Sequence, residues 1–178
     1  MKPEYASNTP VEHKDRWQTP IEVFDALDLE FGFWLDAAAD DRNALCARYL
    51  TEADNALTSD WESMGAIWIN PPYSDITPWV IKAAEQCQKQ RQPVVMLLPA
   101  DTSTGWFATA LQTVDEVRLV TEGRIGFINS ATGLPGKNGA GKGNIFLIWR
   151  PFTNPRRQFT TVTRASLLSA GSKVRAAA

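Results

Sequence analysis

Short apolar runs, each closed by a proline, an amide or a carboxylate, alternate along this chain with segments whose apolar residues recur at helical spacing. Ile21, Phe24 and Leu27 line one face of a helix that starts after Thr19, with Pro20 at its first position. Phe31 to Leu35 reads as a buried strand with Asp36 at its C-terminal end. Ala66 to Ile69 is a second strand, stopped by Asn70-Pro71-Pro72. Thr77 and Pro78 then supply an N-cap and first turn for a helix running to about Gln90. Val94 to Leu98, stopped by Pro99, is a third strand, followed by a short helix over Thr104–Leu111 and a strand at Val117–Val120. Ile145 to Trp149 is the last strand, entered from the Gly-rich segment Gly133–Gly143. Strands that are apolar throughout and alternate with helices predict an α/β fold, a parallel sheet covered on both faces. Ligands of such sheets bind beyond the carboxyl ends of the strands, where Asp36, Asn70 and Pro99 fall.

Composition narrows the chemistry. The 178 residues are 44% hydrophobic and 21% charged, enough for one core. We expect a flexible leader over 1–15, a folded unit over 16–153 and a basic, flexible tail over 154–178. No apolar run approaches the ~20 residues of a membrane span and Met1–Asn8 has no signal-peptide pattern, so a cytoplasmic protein without a membrane partner is expected. Cys46, Cys87 and the single His13, in a polar leader, argue against a disulfide framework, a metal site or a Ser-His-Asp triad. Residues 1–75 carry 15 acids against 5 bases, and residues 76–178 carry 5 against 13. The last 25 residues hold Arg156, Arg157, Arg164, Lys173 and Arg175 with no acid, as either a solvated extension or a face for a polyanion.

Asn70-Pro71-Pro72-Tyr73 is the most informative tetrapeptide. Asn70 and Pro71 each precede a proline and are pushed out of the helical region, so the turn is stiff and extended. It presents the Asn70 amide oxygen and the Pro71 carbonyl as two acceptors, with the Tyr73 ring beside them. An exocyclic amine is a poor nucleophile because its lone pair is delocalised. Two acceptors aimed at its N–H bonds draw the nitrogen toward a tetrahedral form and stabilise the charge that develops on attack. Tyr73 gives the ring that bears the amine a stacking partner.

This motif resembles that of the S-adenosylmethionine-dependent amino-methyltransferases, and residues 16–150 resemble the phage-type DNA N6-adenine methyltransferases, the phage Dam family. The likeness is carried by Arg16-Trp17-Gln18-Thr19-Pro20, Phe31 to Ala39, Asn43 to Cys46, Ala53 to Leu57 with Trp61, Asn70 to Tyr73, Val95 to Pro99 with Trp106-Phe107, and Gly123 to Phe127. It implies a doubly wound, Rossmann-like methyltransferase sheet, mostly parallel with an antiparallel last strand, so that 16–153 would be the catalytic domain. It also implies methyl transfer from S-adenosylmethionine to N6 of a flipped-out adenine in double-stranded DNA, by a monomer or weak dimer in the cytoplasm of a bacterial host.

By the same resemblance Trp17, Thr19 and Pro20 wrap the methionine end of the cofactor, with Thr19 donating to its carboxylate. Asp36, Ala37 and Ala38 form the first nucleotide-binding motif. Asp54 accepts from the cofactor's adenine amine, with Asn55 and Ala56 beside that ring. Phe127 is a second aromatic face for the flipped base. Independently of the resemblance, the Gly-rich segment 133–143 reads either as a loop that brings Lys137 and Lys142 to the DNA backbone or as a plain turn, and Arg124 is expected on the same DNA-facing side. The chain departs from the family in three ways. Ala37-Ala38-Ala39 stands where Pro-Cys-Ala is commoner, and no acid clearly matches the ribose-binding one. Asp101 and Gly105 occupy positions that are often basic. Two other readings stay open: methylation of another planar amine, such as an RNA base or a glutamine side chain, and a non-catalytic DNA-binding module.

Overall fold

The computed structural model describes residues 17–129, 133–135, 142–154 and 157–177. The expected leader over 1–15 and Lys137 lie outside them. Nine strands and four α-helices follow in the order β1 (Trp17–Gln18), α1 (Ile21–Phe31), β2 (Phe33–Asp36), β3 (Arg48–Tyr49), β4 (Ala66–Ile69), α2 (Thr77–Gln90), β5 (Val94–Pro99), α3 (Gly105–Ala110), β6 (Glu116–Thr121), β7 (Ile128–Asn129), β8 (Asn144–Trp149), β9 (Gln158–Thr163) and α4 (Arg164–Ala177), all among the described residues. A seven-stranded sheet has the order β3-β2-β4-β5-β8-β6-β9. β8 alone runs against its neighbours β5 and β6, while the remaining pairs are parallel. This is the expected doubly wound, Rossmann-like, mostly parallel sheet; the antiparallel strand is Ile145 to Trp149, as expected, but β9 follows it, so it is not the last. A separate antiparallel pair joins β1 to β7.

Alternation along the strands divides the core into two layers. Ile67, Ile69, Met96, Leu98 and Leu147 face α2 and α3, with Trp61 and Val80. Trp68, Val95, Leu97, Phe146 and Ile148 face the other way, onto Val23, Phe24 and Leu27 of α1 and Leu167 of α4. Both sheet faces are therefore buried, which is why β4, β5 and, after Asn144, β8 are apolar.

Several local expectations change. Pro20 is the N-cap of α1, with φ −56° and ψ 134°, and not its first residue. Phe31 belongs to the helix, which ends at Gly32 with φ 67°; the strand starts at Phe33, whose N–H donates to Asp28 Oδ1 at 2.6 Å. Thr77 is the first helical residue of α2 and caps nothing, because the N-cap is Ile76 without a side-chain bond. The largest correction concerns the tail. It is not a flexible extension: β9 pairs in parallel with β6 along its whole length, and α4 packs on α1. The basic residues there are partly engaged, Arg175 Nε donating to Asp25 at 2.8 Å.

Candidate active site

Because β2, β4 and β5 are parallel, their carboxyl ends place Asp36, Asn70 and Pro99 along one edge of the sheet. Asn70 is fixed from three sides. Its Nδ2 donates to the Trp17 carbonyl at 3.2 Å and to Thr19 Oγ1 at 3.3 Å, and its Oδ1 accepts from the Tyr73 hydroxyl at 2.8 Å. The expected bare acceptor is thus already half occupied, since an amide oxygen accepts two bonds and Tyr73 fills one. The Leu97 carbonyl, 3.3 Å from the same hydroxyl, is the more distant acceptor for its single proton, and burial pushes the hydroxyl above the usual range of a phenol. Tyr73 is locked at its tip, leaving its ring direction set by β4 and β5.

β1 is the hub that joins the two expected motifs. Trp17 and Gln18 pair with Asn129 and Ile128 of β7, so the segment that bonds Asn70 also carries the chain just beyond Phe127. Phe127 is 3% exposed and meets Tyr73 edge to face, 6.4 Å between centroids at 85°. The two rings touch each other directly, and Phe127 is a core residue, not an open second face.

Asp36 is buried, and its carboxylate accepts the N–H of Ala38 at 3.3 Å and of Leu45 at 3.1 Å. Burial raises its pKa to about 6 against the pull of those two bonds. Its visible task is to hold the loop 37–45. That loop forms one wall of a cleft of about 530 Å³. Ala37, Ala38, Asn55, Ala56, Asn70 and Pro72 line this cleft, together with Ala39, Leu50, Leu57 and Trp79. Trp61, fully buried, steadies the opposite wall by donating its indole N–H to the Ala56 carbonyl at 2.8 Å.

Not every expected residue faces this space. Thr19 is buried behind Asn70. Asp54 is turned back on Thr51, accepting its N–H at 2.7 Å and its hydroxyl at 2.8 Å, which holds its carboxyl below the ordinary range. Glu52 and Asp40 line the cleft instead, and the sequence reading missed both. Glu52 lies three residues past β3, a two-residue strand with no apolar run to reveal where its carboxyl end falls. Arg124 is exposed, while Lys142 is ion-paired with Asp101. A second cleft, of about 420 Å³, sits at Glu116 and Arg118 where β6 begins, at the opposite edge of the sheet, and its charges are paired with one another. Among the described residues no His, Cys, Asp and Glu cluster could hold a metal, and no helix is long and apolar enough to cross a membrane.

A doubly wound sheet with one reversed inner strand, a ligand-sized cleft at its carboxyl edge and the Asn-Pro-Pro-Tyr turn beside that cleft define an α/β protein built to hold a ligand beyond its strand ends. Comparison with known proteins gives the family. The model of the DNA N-6-adenine-methyltransferase (Dam) family matches residues 6–174, and the chain belongs to that family. It is 40% identical over 129 residues to the DNA N-6-adenine-methyltransferase of Haemophilus phage HP1, covering 71% of this chain and 74% of that protein. It is 36% identical over 159 residues to the DNA N-6-adenine-methyltransferase of Escherichia phage T1, covering 81% of this chain and 66% of that one.

Proposed function

We propose that this protein transfers a methyl group from S-adenosylmethionine to N6 of an adenine flipped out of double-stranded DNA. The observation that carries the reading is the Asn70 amide, wired to Trp17, Thr19 and Tyr73 at the rim of the 530 Å³ cleft. The cleft fits the cofactor in size and chemistry. Its volume lies within the roughly 300–1,000 Å³ of small-ligand sites, and Ala37 to Ala39 let a ligand approach the backbone closely. Leu50, Ala56 and Leu57 offer apolar contact to an adenine ring, with Asn55 at its edge, and Glu52 offers a carboxylate to ribose hydroxyls. The bound cofactor supplies an electrophilic methyl on its sulfonium.

The protein's own contribution is positioning. The remaining lone pair of Asn70 Oδ1 and the Pro71 carbonyl accept from the two N–H bonds of the adenine amine, and Pro72 keeps the turn extended. Tyr73 supports the base with its ring. Thr19 and Trp17 hold Asn70 in register with the methionine end of the cleft, Pro20 setting the entry into α1, and Asp36 holds Ala37 and Ala38 in place. Asp54 serves by shaping the 51–55 turn. Arg124, Lys137 and Lys142 serve the phosphate backbone, Lys142 by exchanging Asp101 for a phosphate. One of the two amine hydrogens leaves as a proton to solvent, since the groups bonded to Asn70 are the Trp17 carbonyl and the hydroxyls of Thr19 and Tyr73, none of them a base at neutral pH. Incubation with labelled S-adenosylmethionine and DNA or RNA, followed by nucleoside digestion, tests the reading. Label in N6-methyladenine from DNA is expected; label in RNA or in protein glutamine, or none, would refute it.

A further inference from the structure

Asn144 opens β8 and pairs with Pro99 at the carboxyl end of β5, 1% exposed. Strand alternation puts its side chain on the face of Phe146 and Ile148, the face that also carries Ile125 and Phe127. There its Oδ1 accepts the Ile125 N–H at 2.8 Å. That bond fixes which way the amide points, because only the oxygen can meet an N–H. Nδ2 is then left buried with no hydrogen-bond partner among the described residues. An apolar residue at 144 would continue the run Ile145 to Trp149 and leave no donor unmet. Among the described residues the side chain makes one hydrogen bond, the one that holds Ile125.

Beyond Ile125 the chain closes on Tyr73. Gly123, at φ 128°, lets the chain turn out of β6. Ile125 and Phe127 are buried, and Ile128–Asn129 then pairs with β1, whose Trp17 carbonyl receives Asn70 Nδ2. This strap is therefore pinned at one end by Asn144 and at the other by the strand that holds Asn70. Phe127 lies between the two pins, edge-on to Tyr73.

We propose that Asn144 is a positioning residue of the base pocket, fixing the 123–127 strap through Ile125 so that Phe127 buttresses Tyr73. The inference rests on reading Asn70 to Tyr73 as the amine-binding turn. Asn144→Ala removes the acceptor, whereas Asn144→Asp keeps an acceptor for Ile125 and puts a carboxyl oxygen, held neutral by burial, in place of the unmet NH₂. The measurements are hydrogen exchange at the Ile125 amide, affinity for S-adenosylhomocysteine and single-turnover methylation of DNA. Asn144→Ala should expose the Ile125 amide to faster exchange and slow turnover about 10- to 100-fold, with cofactor affinity changed less than about twofold. Asn144→Asp should keep Ile125 protected and stay within about fivefold of wild-type turnover. Should the alanine variant fail to fold, Asn144→Ser, too short to reach Ile125, carries the same comparison. Wild-type turnover in a folded Asn144→Ala or Asn144→Ser, or loss of cofactor affinity in step with turnover, would overturn the proposal. So would equal slowing in Asn144→Asp with Ile125 still protected. A wild-type protein that methylates no DNA adenine would refute the proposed reaction, while exchange at Ile125 would still decide whether Asn144 pins the strap.

Discussion

Asn70→Asp and Asn70→Ala separate two tasks that one amide performs. Its oxygen accepts, from Tyr73 at 2.8 Å and from the substrate amine in the proposed reaction, while its nitrogen anchors the turn to Trp17 and Thr19 at 3.2 and 3.3 Å. Both anchoring bonds are at the long end of the N–H···O range. At about 0.5–1 kcal/mol net apiece, losing the pair costs about 1–2 kcal/mol, or roughly 5- to 30-fold. Aspartate loses both donations and sets an oxygen against the Trp17 carbonyl, although the Thr19 hydroxyl can turn to donate and recover part. Asn70→Asp should therefore keep the acceptor and run roughly tenfold slower than wild type. Alanine removes the acceptor and deprives the Tyr73 hydroxyl of its short bond, and should cost about 10²–10³ in turnover, as loss of one preorganised partner does. The assay is single-turnover methylation at saturating cofactor, with S-adenosylhomocysteine affinity by calorimetry and thermal unfolding as controls. Turnover by Asn70→Asp at or above the wild-type rate would refute the anchoring argument. Equal turnover by the two variants would refute the acceptor role.

Gly171→Ala should lower stability by about 3 kcal/mol, because its Cβ would run into the Glu22 carbonyl and force α1 and α4 apart; an unchanged Tm would contradict that close approach. Trp61→Phe should weaken S-adenosylhomocysteine binding about tenfold, since the buried Ala56 carbonyl at the cleft wall loses its donor; calorimetry reads it. Removing residues 154–178 should abolish cooperative unfolding by circular dichroism, not merely flatten the salt dependence of DNA binding, because β9 and α4 would go with them. The folded state binds a proton at Asp36 near pH 6 and the unfolded state near 3.8, so stability should rise as pH falls from about 7 to about 4, by up to about 3 kcal/mol, and Asp36→Asn should erase the rise.

The strands that could be read from the sequence are the ones with neighbours on both sides. β4, β5 and β8 are buried on both faces and their apolar runs are unbroken. β3 and β9 are the two edges of the sheet, and neither shows such a run. Gln158 to Thr163 mixes exposed and half-buried positions with none buried, and Arg48–Tyr49 is too short to carry a period. Misreading β9 made a folded element look like a tail, and missing β3 hid Glu52. α4 escaped for a related reason: it buries Leu167 and Gly171, and a glycine that brings two backbones together leaves no apolar mark in the pattern.

At the site the division is between shape and hydrogen-bond occupancy. Two prolines fix the backbone of the 70–73 turn locally, so its form was legible from four residues. What each polar atom of that turn is doing was not, because its partners come from β1, more than fifty residues away, and from β5. Read locally, the Asn70 nitrogen has no task and aspartate is an equivalent residue. Read in the fold, the nitrogen joins β1 to the turn, and the oxygen has one lone pair left for a substrate rather than two. The same logic applies to Phe127, whose aromatic character suits a stacking face but whose burial against Tyr73 makes it a buttress. A motif thus specifies where acceptors can point, and the long-range contacts decide how many of them are left for chemistry.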